Sequence, residues 1–63
     1  MTQKELSYVE DAIGHETNII KICNDIMSNL EDSTLKDFMD SEINTHSSMK
    51  GKLLSLLEEK ANE

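Results

Sequence analysis

"LEDSTLKDF", residues 30–38, is the break on which the reading of this chain turns. Asp32, Ser33 and Thr34 crowd together there, and each carries a side-chain oxygen able to accept from the free amides of a helix start. Upstream, Leu6, Val9, Ile13, Ile20, Cys23, Met27 and Leu30 recur at alternating spacings of three and four, with Glu16 filling the single gap. Downstream runs a second series: Leu35, Met39, Glu42, His46, Met49, Leu53 and Leu56. Both average ~3.5 residues per step, the period of a helix seam. Proline is absent, the two glycines are isolated, and strand alternation is missing.

The pattern predicts an all-α chain, a single helical hairpin over residues 1–63. A first helix is expected at about 3–30, a turn at 31–33 and a second helix at about 34–60. Thr2 with Glu5 forms a capping-box pattern at the first start. A turn this short makes the two helices antiparallel neighbours. With the turn centred between residues 32 and 33, positions summing to 65 are expected side by side. Gly14 and Gly51 meet that condition and are read as a candidate close approach of the helices.

Bulk properties narrow the function. A chain of 63 residues is one small domain at most. Domains near this size bury only ~60% of their unfolded surface and commonly lean on disulfides, metals or partner chains. Cys23 is the only cysteine, so an intrachain disulfide is excluded. The net charge is −7, with six lysines scattered among thirteen acids. Nucleic acid recognition draws its affinity from a basic face, which this composition lacks. No apolar run approaches the roughly 20 residues that span a bilayer, and "MTQKELSYVED" lacks the layout of a signal peptide. The expectation is a cytoplasmic protein with no nucleic acid or membrane partner.

Beside its seam the first helix carries Tyr8, Ala12, His15, Ile19, Ile22 and Ile26, and the second adds Phe38, Ile43, Leu54 and Leu57. One helix–helix contact cannot cover stripes this wide, so another chain is expected to cover the surplus. A homodimer closing into a four-helix bundle is the simplest symmetric solution.

Glu16, Glu42 and His46 break the apolar seam. An unpaired carboxylate there costs several kcal/mol in desolvation, so it calls for a partner, a proton or a metal. Two readings stay open. In the first, Glu16 accepts from His46 and the imidazole is held between carboxylates, a polar layer that fixes register. In the second, Glu16, Glu42 and His46 are metal ligands, with His15 a further candidate. Doubled in a dimer, they give the glutamates and histidines of a di-iron carboxylate bundle, with iron or zinc as the ion. "EINTH" is Glu-x-x-x-His, however, one residue longer than the Glu-x-x-His of such bundles. No nucleophile triad, phosphate loop or Cys/His zinc spacing is present, so no catalytic residue is assigned. Cys23 reads as a small core residue and the methionines as core filler.

"ELSYVEDAIGHE", "IIKICND", "EDSTLKDF" and a closing helix with a central histidine resemble the small spore-coat-protein-F-like group of ferritin-like helical proteins. The resemblance runs over nearly the whole chain. It implies a ferritin-like bundle of which this chain supplies half, a structural or assembly role in the spore coat, and coat or assembly proteins as further partners. Ferritin-type ligands carry over only to Glu16, Glu42 and His46.

Overall fold

The computed structural model describes residues 1–61. Two helices, α1 (Gln3–Ser28) and α2 (Ser33–Ala61), pack against each other as a hairpin 47 Å long and 15 Å wide. There is no strand among the described residues. Among the described residues no helix is long and apolar enough to cross a membrane.

Local hydrogen bonding fixes where each helix begins and ends. At the start of α1, Thr2 Oγ1 accepts from the Glu5 amide at 3.0 Å, and Glu5 Oε1 accepts from the Thr2 amide at 2.8 Å. Two amides that no helical carbonyl can reach are thereby satisfied. At the start of α2, Asp32 is the residue that caps: its Oδ1 accepts from the Leu35 amide at 2.9 Å and its carbonyl accepts from Lys36. Ser33 and Thr34 fall inside the helix.

The first helix ends at Ser28, two residues before the sequence-based boundary. Its last turn is closed by side chains. Ser28 Oγ donates to the Asn24 carbonyl, and Asn29 Nδ2 donates to the Asp25 carbonyl at 2.8 Å. These carbonyls accept from side chains near the end of the helix. Asn29 takes the terminal position with φ −105° and ψ 0°, and its amide donates to Ile26. No described residue needs a positive φ to make the turn.

Ending α1 early shifts the register. Glu16 meets His46, so positions summing to about 62, not 65, lie side by side. Leu6 and Leu57 lining one groove at the open end fit the same register. The glycine expectation fails with it. A methyl group built on Gly14 or on Gly51 would meet nothing within 4 Å, so neither marks a close approach.

The seam of α1 is the expected one: Leu6, Val9, Ile13, Glu16, Ile20, Cys23, Met27 and Leu30 are all buried or half-buried. In α2 the inward line is rotated by one residue. Met39, Ile43, His46, Lys50, Leu53 and Leu57 are half-buried, as is Glu42 of the expected line, whereas Leu35, Met49 and Leu56 are exposed. The two lines share positions 39, 46 and 53, so spacing alone does not separate them. Facing Ile43 inward spares part of the desolvation that Glu42 would suffer there. Lys50 then lies on the seam, where its methylenes can cover apolar surface while the ammonium reaches water.

The two flanks of the seam differ in chemistry. In antiparallel helices, residues one position before the seam fall on the same side of the pair, and residues one position after it fall on the other. The preceding positions hold Tyr8, Ile22 and Ile26 in α1 and Leu35, Phe38, Met49 and Leu56 in α2, all exposed. The following positions are Ser7, Glu10, Gly14, Thr17, Lys21 and Asn24 in α1, then Asp37, Asp40, Asn44, Ser47 and Gly51 in α2. Leu54 is the exposed large apolar residue on that second side. One flank of the hairpin is oily and the other is polar.

Candidate functional site

Halfway along the hairpin the seam turns polar. Glu16 is one of two buried residues among those described, the other being Cys23, each 9% exposed. His46 Nδ1 lies 2.5 Å from Glu16 Oε2, across the helix–helix contact. Glu42, one turn before His46 in α2, places its Oε2 3.6 Å from His46 Nε2. The imidazole therefore stands between two carboxylates.

The chemistry of the three groups assigns the bonds. A carboxylate only accepts, so the short contact requires the Nδ1 proton to point at Glu16. At 3.6 Å the Glu42 contact is an ion-pair distance and too long for a hydrogen bond. The neutral tautomer with its proton on Nδ1 already satisfies Glu16, and a doubly protonated ring would add attraction to Glu42. No buried side-chain nitrogen or oxygen among the described residues lacks a partner. The polar layer is a completed arrangement within one chain.

The same geometry places the candidate metal ligands within one chain. Glu16 and Glu42 approach opposite nitrogens of one ring, so a single ion cannot be held by all three residues. No group of three or more His, Cys, Asp or Glu among the described residues is placed to hold a metal ion. His15 is exposed, on the oily flank, one position from Glu16. The ligand set that the sequence suggested is doubled across a dimer; within one chain, Glu42 and His46 Nε2 face each other in a way that an ion could share.

Sequence reasoning did not single out the oily flank as one surface, because it placed Met49 and Leu56 in the seam and Leu57 and Ile43 outside it. The one-residue rotation of α2 gathers Phe38, Met49 and Leu56 onto the side where Tyr8, Ile22 and Ile26 already lie. Phe38 is 59% exposed and Tyr8 60%. Lys4 Nζ sits 5.9 Å from the Tyr8 ring centroid. At the open end a groove is lined by Met1, Glu5, Val9, Leu56 and Lys60, continuing this flank.

Comparison of the chain with protein-family models, with curated proteins and with solved structures found no match in any of the three.

Proposed function

We propose that this chain is a self-associating structural module, a helical hairpin that covers its oily flank with a second copy and so completes a four-helix bundle. The observation that carries the reading is the segregation of exposed apolar side chains onto one flank. Among the described residues no large side chain is fully buried, and Cys23 is the one buried apolar residue. A hairpin with so little interior has little to set against the chain entropy of ordering 60 residues, roughly 1–2 kcal/mol for each. Covering the flank supplies the missing burial at about 25 cal/mol per Å².

The flank is large enough for that purpose. A surface 47 Å by 15 Å is about 700 Å², close to the ~800 Å² that each partner contributes to a stable interface. The polar layer suits the same role, since a buried Glu–His contact at one level disfavours slipped alignments of the two helices. The resemblance to spore-coat-protein-F-like chains supports a narrower form of the reading, assembly within a spore coat.

Sedimentation across a range of concentrations tests the proposal. A dimer at micromolar concentration is expected. A folded monomer that persists to high concentration would overturn it. A second reading, a metal centre shared between copies, is favoured by one observation, the facing of His46 Nε2 and Glu42. It requires both residues from each copy, with Glu16 orienting the ring from behind. Elemental analysis after loading with iron or zinc, on the native chain and on His46→Ala, separates it from the structural reading.

A further inference from the structure

We infer that Glu42 and His46 form a two-pronged clamp for a divalent ion of the zinc class, and that the ion tightens the self-association proposed above, on which the inference rests. The bond to Glu16 prepares the ring. With the Nδ1 proton aimed at Glu16 Oε2, the neutral imidazole turns the lone pair of Nε2 toward Glu42 Oε2, 3.6 Å away. Two acceptors then face each other, an arrangement that calls for a positive centre between them. A proton there would draw the pair into a charge-assisted hydrogen bond of about 2.7–2.9 Å. A tetrahedral ion with bonds of roughly 2.0–2.2 Å holds two of its ligand atoms about 3.3–3.6 Å apart. The separation fits the ion.

The donor types select among ions. Magnesium and calcium take oxygen donors, whereas imidazole suits zinc and its late first-row neighbours. Glu16, on the other ring nitrogen, is then a positioning residue that fixes the tautomer without touching the ion.

The clamp lies where the second copy is expected. Glu42 directly precedes half-buried Ile43, so it stands on the oily flank, with 41% of its side chain exposed. Glu16 and His46 are halfway along the hairpin, so either twofold that joins two such flanks lays middle on middle. There the second copy can offer its own His15, Glu42 or His46 to the remaining positions of the ion. Covering the flank without an ion would strip water from the Glu42 charge. A bound cation turns that cost into a bond, so ion and second copy favour each other.

Sedimentation of the native chain in Zn²⁺, in Mg²⁺ and in chelator tests the clamp. Zn²⁺ should lower the concentration of half-dimerisation by about tenfold or more, within the usual range of such coupling, and Mg²⁺ should leave it in place. Glu42→Gln changes a partly exposed side chain at constant shape. It should dimerise without metal at least as well as the native chain, yet show no Zn²⁺ shift. Glu16→Gln keeps an acceptor behind the ring and should retain the shift, with Zn²⁺ affinity by equilibrium dialysis lowered roughly 10–100-fold. No shift in the native chain, or an equal shift in Glu42→Gln, overturns the clamp and leaves metal-free self-association standing. A native dimer that forms only with Zn²⁺ upholds the clamp and overturns self-association of the bare chain. A monomer under every condition overturns both.

Discussion

His46 Nδ1 and Glu16 Oε2 lie 2.5 Å apart although thirty residues separate them in sequence. This side-chain contact between α1 and α2 sits at the middle of the seam, and it sets which residues of one helix stand level with which of the other. Breaking it one side at a time leaves a polar group facing an apolar seam. Glu16→Ala or His46→Ala should each destabilise the fold by about 1–3 kcal/mol. Glu16→Leu with His46→Leu removes both polar groups together and should cost far less, or stabilise, as buried polar pairs replaced by apolar residues often do. Urea melts at one concentration of the native chain, Glu16→Leu, His46→Leu and the double leucine variant complete the cycle. Additive losses in the double variant would show that the two residues do not act as a pair.

The turn offers a sharper local test. Asp32 caps α2 through the Leu35 amide, while its neighbour Glu31 accepts no hydrogen bond of that kind. Asp32→Ala should lower stability by about 1 kcal/mol, the usual worth of a helix N-cap. Glu31→Ala should stay within about 0.5 kcal/mol of the native chain, as surface changes away from caps do. Equal effects from the two would remove Asp32 from its capping role. Thermal melts suffice to measure both.

Both glycines lie on the polar flank with open space where a methyl group would go. Mid-helix glycine costs about 1 kcal/mol relative to alanine through backbone entropy. Gly14→Ala and Gly51→Ala should therefore each raise stability by about 0.5–1 kcal/mol, and together by nearly the sum, because they sit on separate helices. Neither change should weaken self-association, since the polar flank is not the surface assigned to the second copy. Loss of dimer in either variant would place the interface on the wrong side of the hairpin.

These cases also mark what the sequence could disclose. The seam of α1 was legible in full because seven apolar residues and one glutamate leave a single line that fits. The seam of α2 was not. Positions 42, 49 and 56 and positions 43, 50 and 57 each mix apolar with charged residues, so periodicity is silent and the relative desolvation of Glu42 and Lys50 decides. The end of α1 falls two residues before the expected one, with Asn29 in the terminal position and its side chain donating to the Asp25 carbonyl, without the glycine that usually signals such a stop. That small displacement moved the register, and with it the expected pairing of Gly14 with Gly51. The contact of Glu42 with His46 followed from helical spacing, and that of Glu16 with His46 is the one the polar-layer reading expected, although the expected register set His46 level with Ile19.

The capping box at the start of α1 carries a pH signature. Glu5 accepts from the backbone amide of Thr2, and that bond, followed by the bond with the Thr2 side chain, holds its carboxyl below the ordinary value of 4.5. A carboxyl depressed in the folded state stabilises the fold above its unfolded value, and the contribution disappears as pH falls through the folded value. At neutral pH, Glu5→Gln keeps the shape of the acceptor but loses the negative charge favoured beside a helix N-terminus. Its melting temperature should fall below that of the native chain at pH 7, and the gap should close in strong acid, where the native carboxyl is protonated too. Exposure of the site keeps the effect small, so the comparison requires both proteins at matched ionic strength and concentration. A gap that stays constant from neutral to acid, or widens on acidification, would mean that the ionised carboxylate contributes nothing to the start of the helix.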